Sequence, residues 1–130
     1  MPARHIIDDQ KKLITTIWSG AAIDSDLIAA LCKYKEEIIM KGGYHSYNEI
    51  LDFTGVDNYK VTVEGIKQLA QIAVSTDVAG IKTKLAIIVT KPVAFGLGRM
   101  YQTYRSLMPG EGKEVCIYRT HREALEWVES

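Results

Sequence analysis

Hydrophobic and polar positions along the chain alternate in short blocks whose order carries most of the information. Two apolar runs come first, Ile6-Ile7 and Leu13 to Trp18, separated by the polar Asp8-Asp9-Gln10-Lys11-Lys12. Turn-forming residues between two β-rich runs predict an antiparallel hairpin, with Asp8-Asp9 supplying the turn. From about Asp24 to Met40 the apolar residues Leu27, Leu31, Tyr34 and Ile38 recur at spacings of four, three and four, which predicts a helix. Asp24 or Ser25 is placed to cap it, Gly42-Gly43 to stop it, and Lys33 and Glu37 to pair on its outer face. A strand-like run, Tyr47 to Phe53, then ends in Thr54-Gly55-Val56-Asp57-Asn58.

Thr62 opens a second helix to about Val78, with Ile66, Leu69, Ala70 and Ala73 inward and Gly80 as its stop. The wholly apolar Leu85-Ala86-Ile87-Ile88-Val89 is a buried strand. Pro92 suits the first turn of a third helix, since its missing N–H is not needed there. Leu97, Met100, Tyr101, Tyr104 and Met108 form that helix's expected inner stripe, and Pro109-Gly110 its end. Glu114 to Tyr118 is the last strand. Thr120 and Glu123 form a capping box ahead of a fourth helix containing Ala124, Leu125, Trp127 and Val128. The order is ββαβαβαβα, which predicts a single α/β domain over residues 1–130. Its sheet is mixed and mostly parallel, with an N-terminal hairpin and four helices.

At 130 residues the chain can bury a core without disulfide or metal. Sixteen basic and sixteen acidic residues balance, which argues against nucleic acid as a partner and leaves homodimerisation open. No apolar run approaches the roughly 18 residues that span a bilayer, and the start of the chain lacks a signal-peptide core. The expected location is therefore the cytoplasm. Cys32 and Cys116 lie in apolar stretches and read as reduced, buried thiols.

Three segments resemble a known group of proteins. They are Pro2-Ala3-Arg4-His5-Ile6-Ile7-Asp8, Asp52-Phe53-Thr54-Gly55-Val56, and Ala94-Phe95-Gly96-Leu97-Gly98-Arg99-Met100-Tyr101. With the helix opening near Gly65-Ile66, they are similar to STAS domains, the fold of anti-sigma-factor antagonists. The closer resemblance is to the bacterial SpoIIAA-like, or STAS/Sec14-like, branch. That resemblance implies the fold and no particular activity. Antagonists of this kind carry a phosphorylatable serine in an Asp-Ser-Ser-Gly-like motif. Aligned on Gly65, the acceptor position holds Val63, which has no hydroxyl. Thr62 serves as phosphoacceptor only with a one-residue slip, and its role as helix N-cap already accounts for it.

Two constellations remain as candidate sites. The three later strands should end near Thr54, near Thr90-Lys91 and near Arg119-Thr120, each leading into a helix. In a parallel sheet these ends share one rim, so Thr54, Thr90, Lys91, Arg119, Thr120 and His121 are expected to bind a small anionic or polar ligand, aided by Arg122 and the helix N-termini. The second constellation is apolar: Phe95, Met100, Tyr101 and Tyr104 on the third helix, with Tyr44 and Tyr47 near the end of the first. The Sec14-like kinship implies an apolar or lipid-binding pocket there.

Other motifs lead nowhere. Gly96-Leu97-Gly98-Arg99 lacks the dinucleotide spacing and lies within a helix, where glycine allows close packing. Gly110-Glu111-Gly112-Lys113 lacks the hydroxyl residue and the following helix of a phosphate loop. His5, His45 and His121 are too scattered for a metal site, and no nucleophile stands beside a recognisable base. The sequence thus points to a non-enzymatic regulatory or binding module without cofactor or metal, acting through protein contacts or a small ligand. The alternative is a carrier of an apolar or anionic metabolite.

Overall fold

The computed structural model describes residues 3–75, 80–108 and 112–130. Five strands, β1 (Ala3–Asp8), β2 (Leu13–Ile23), β3 (Asn48–Lys60), β4 (Thr83–Ile88) and β5 (Lys113–Tyr118), lie in the order 1-2-3-4-5. β1 pairs antiparallel with β2, and every later pairing is parallel. The hairpin turn is held by Asp8, whose Oδ1 accepts from the amides of Gln10 and Lys11 at 3.0 and 3.1 Å. Helices α1 (Asp24–Tyr34), α2 (Val63–Val74) and α3 (Pro92–Leu107) form the crossovers, and α4 (His121–Glu129) follows β5. This is the order expected from the sequence.

Three crossovers of one hand, advancing across the sheet in one direction, put α1, α2 and α3 side by side on one face. Among the described residues, α4 is the helix that covers the other face. There Ala124 and Val128 pack with Leu13, Ile50, Ala86 and Ile88. β4 is buried from both sides, so its run is apolar without alternation. Ile6, on the part of this second face beyond α4, is 48% exposed.

Several boundaries differ from the expected ones. β2 runs on to Ile23 and β3 to Lys60, because the two strands stay paired through register shifts at Ile17/Ser19 and Gly20/Ala21. Gly20 takes a φ of +80° at the second shift, a conformation that favours glycine. The overhanging halves have their own core of Trp18, Ala22 and Val56, covered by Leu27. Thr54 to Asn58 therefore continues β3 instead of ending it.

The first helix spans the expected residues, but Lys35–Met40 is π-helical. The wider turn brings Ile39 into the core alongside Tyr34 and moves the side-chain pairing to Glu36–Lys41, at 3.4 Å. Its N-cap is Ile23, with no side-chain cap, because the Asp24 carboxylate is engaged by Thr62. α2 ends at Val74 and Gly80 follows five residues after its C-cap Ser75, at φ +83°. The residues expected to complete that helix, 76–78, lie outside the described residues, as does the Pro109-Gly110 stop.

The fully buried positions of α3 are Ala94, Gly98 and Arg105, with the expected stripe only half-buried beside them. Gly98 is what lets α3 sit on β5: a Cβ there would lie 3.2 Å from Ile117 Cδ1. Both cysteines are unpaired, and Cys32 is exposed, facing away from the stripe that α1 turns toward the sheet.

Candidate functional site

Alternation along the strands decides what faces the helix layer. Leu51 and Phe53 of β3, Leu85 and Ile87 of β4 with Val89 just beyond it, and Thr16 and Trp18 of β2 all point toward α1, α2 and α3. Leu27, Ala30 and Leu31 of α1, Ile66, Leu69 and Ala73 of α2, and Ala94, Leu97 and Tyr101 of α3 come down from above. The two layers do not close on each other. An apolar cavity of about 180 Å³ remains between them. It explains why Leu51 and Phe53 are only half-buried although they lie on the central strand beneath a helix layer.

One end of this cavity is polar. Glu49, at the start of β3, shares the inward parity of Leu51, and Lys113, at the start of β5, shares that of Val115. Glu49 Oε1 lies 3.2 Å from Lys113 Nζ and accepts from the Tyr34 hydroxyl at 2.9 Å. The Glu49 and Lys113 side chains are 16% and 11% exposed, so the pair is shielded from most solvent screening. Burial, then the charge and hydrogen bond of Glu49, raises the Tyr34 phenol far above its ordinary range. His5 stacks at a tilt on Tyr34, with ring centres 5.0 Å apart, and shares a 2.7 Å hydrogen bond with the Thr16 hydroxyl. Burial, the largest cause, lowers its pKa; Glu49 opposes this and Lys33 adds to it. Arg105 also lines this end and is itself engaged.

The expected rim is assembled at the opposite end of the strands, where Lys91 and Thr120 are engaged in internal hydrogen bonds. β3 passes Thr54 and overhangs the rim, so the Lys91 ammonium donates to the Asp57 carbonyl at 3.0 Å. The exposed Thr54 follows Asp52, whose Oδ1 accepts the Thr54 amide at 2.8 Å. Thr120 caps α4: its hydroxyl accepts from the Glu123 amide at 3.2 Å and donates to Glu123 Oε1 at 2.9 Å. Thr90 and His121 are exposed beside them. The guanidinium of Arg119 lies 5.2 Å from the centre of the Phe95 ring, and that of Arg99, absent from the expected set, 5.8 Å from it.

Of the four aromatic and thioether candidates, only Tyr101 lines the cavity. Phe95 lies under the two arginines, and the Tyr104 ring lies under Lys67 Nζ at 5.7 Å. Met100 is half-buried on α3, outside the lining. Tyr44 and Tyr47 pack edge to face near the Ile14–Tyr34–Ile39 cluster, also outside it. Thr62 caps α2, accepting from the Gly65 amide at 3.0 Å and donating its own hydrogen to Asp24. Val63 is 48% exposed next to it.

Sequence reasoning missed Glu49, Lys113 and His5 as parts of a site. The available signal was parity: an acid and a base at inward positions of two strands that are otherwise apolar on that face. Among the described residues, no group of acidic, histidine or cysteine side chains could hold a metal ion, and no helix is long and apolar enough to cross a membrane.

No protein-family model matches the sequence, and no curated protein matches it. Among solved structures, the chain is similar to the crystal structure of an uncharacterized protein of the DUF3478 family with a SpoIIAA-like fold, from Shewanella loihica PV-4. The TM-score is 0.57 over 97% of this chain and 91% of that one, at 12% identity. The chain thus has the SpoIIAA-like fold expected from its sequence.

Proposed function

We propose that this protein is a non-enzymatic, cytoplasmic binding module that takes up one small, mostly apolar molecule between its sheet and its helix layer. The cavity is the observation that carries this reading. Its volume, about 180 Å³, exceeds the roughly 150 Å³ of an engineered apolar cavity that binds benzene and falls short of the roughly 300 Å³ of the smallest drug-sized sites. That suits one ring or a short chain and is too small for a long acyl chain, which narrows the carrier reading. The occupant would touch α1, α2 and α3 together, so a partner protein could read occupancy on their outer surface. Two unpaired thiols suit a reducing compartment.

Native mass spectrometry of gently purified protein tests this. The expected result is a small mass increment, released on denaturation and recovered chemically unchanged. Steady conversion of the released molecule would contradict a non-enzymatic role. A chain that carries nothing and takes up no small hydrocarbon would contradict the binding role.

A second reading rests on Arg99 and Arg119, which share the Phe95 ring while neither pairs with a carboxylate among the described residues. Two guanidiniums so placed suit an anionic group of a partner or metabolite. Titration with phosphate should then shift the resonances of Phe95 and His121, and Arg99→Gln/Arg119→Gln should abolish the shift. Unmoved resonances would discard this reading.

A further inference from the structure

We infer that the cavity's ligand is a neutral hydroxyl compound, a phenol or short-chain alcohol, whose hydroxyl lies between Glu49 and Lys113. This rests on the reading of the cavity as a binding site and adds the ligand's chemical class.

The lining is apolar except at one end, so a ligand that fills it has an apolar body with a single polar terminus. At that end Glu49 Oε1 already receives both Tyr34 and Lys113, while Oε2 accepts no hydrogen bond among the described residues. Lys113 Nζ has three hydrogens and one carboxylate partner, so it retains donors. The end therefore offers an acceptor and a donor side by side. A hydroxyl satisfies both, donating to Glu49 and accepting from Lys113.

Charged termini fare worse. Glu49 and Lys113 neutralise each other, so a carboxylate or an ammonium brings an unmatched charge into an apolar cavity. Each would also meet a like charge, the carboxylate that of Glu49 and the ammonium that of Lys113. Arg105, buried in the same lining, has an interaction of its own, and the benzoate arm below tests whether its charge outweighs this balance. Tyr34 reinforces the choice: held as a neutral phenol that donates to Glu49, it leaves its own oxygen available to a second donor.

Calorimetry on the intact chain at neutral pH, with toluene, phenol, benzoate and benzylammonium, tests the inference. Phenol should bind about tenfold or more tighter than toluene, the gain expected of a hydrogen bond to a charged group, with both ions weaker than phenol. The double variant Glu49→Leu/Lys113→Met replaces the pair with apolar side chains, an exchange that folds commonly tolerate. It should still bind toluene and lose the preference for phenol. Toluene binding as tightly as phenol, or benzoate binding tightest, would overturn the hydroxyl assignment and leave the cavity reading intact. Binding of none of the four would overturn the cavity reading itself. The wild-type series is decisive alone if the double variant is unstable.

Discussion

The carboxylate of Asp24, the first residue of α1, occupies the space that a side chain at Gly65 of α2 would need. It accepts from the Thr62 amide at 3.0 Å and from the Thr62 hydroxyl, which fixes it over the start of α2, where the helix dipole favours negative charge. A Cβ on Gly65 would collide with its Cγ and both oxygens.

This relationship sets the sign of a double-mutant cycle. Gly65→Ala should cost about 1–2 kcal/mol, because the carboxylate must leave its two donors. In an Asp24→Ala background the same change should become neutral, or stabilising by up to about 1 kcal/mol, as alanine normally is against glycine in a helix. Urea denaturation of the four proteins measures it. Equal costs in both backgrounds would show that the two residues do not interact. Thr62→Glu should destabilise more than Thr62→Ser, since it brings a second carboxylate against Asp24.

Two tyrosines offer a controlled comparison. Tyr34, 9% exposed, and Tyr47, at the surface, each donate to a carboxylate, of Glu49 at 2.9 Å and of Asp9 at 2.7 Å. Tyr34→Phe should cost about 2 kcal/mol, the usual value for a hydrogen bond to a charged group away from water. Tyr47→Phe should leave the denaturation midpoint unchanged within error. Similar losses in the two variants would mean that the Tyr34–Glu49–Lys113 end is as wet as the surface.

Filling the cavity should separate binding from folding. Ala30 lines it, so Ala30→Leu projects new carbon into empty apolar space. Stability should hold or rise, by up to about 2 kcal/mol, while uptake of toluene or phenol is lost. A destabilised Ala30→Leu would indicate that helix and sheet are already packed there.

His5 gives the protein an acid-side dependence. Burial lowers its pKa below the ordinary 6.5, so the unfolded chain takes up the proton first. Stability should therefore fall as pH drops through about 6.5, and this contribution should level off once pH passes the lowered value in the folded state. Thermal melts from neutral to mildly acidic pH should show a shallower decline for His5→Asn than for the wild type. Parallel curves would remove His5 as the source.

The element order, the hairpin and the parallel direction of the later strands were legible in the sequence patterning, because apolar periodicity and capping residues are local signals. Thr62, Thr120 and Pro92 were legible in that way. Partners distant in sequence decided what was not. Val56 and Ala22 keep β3 and β2 paired past Gly55 and Gly20, so the turn-like Thr54-Gly55-Val56-Asp57-Asn58 is strand. The π-helical turn after Tyr34 moved Ile39 inward, a change invisible to a fixed helical period. The ends of β4 and β5 do share one edge of the sheet, yet the overhang of β3 engages Lys91, which only the pairing length reveals. The cavity escaped notice because a void is set by how far two layers stand apart. Its polar end was missed because Glu49 and Lys113 meet across β4, 64 residues apart in the chain.

Methyl-resolved NMR during titration with phenol tests the central claim most directly. If the cavity is the site, the resonances of Leu51, Leu85, Ile87 and Leu97 should shift together and saturate, while those of the exposed Ile6 and Leu107 stay in place. Shifts confined to Ile6, Leu107 and other surface methyls, or no saturable change at all, would contradict it.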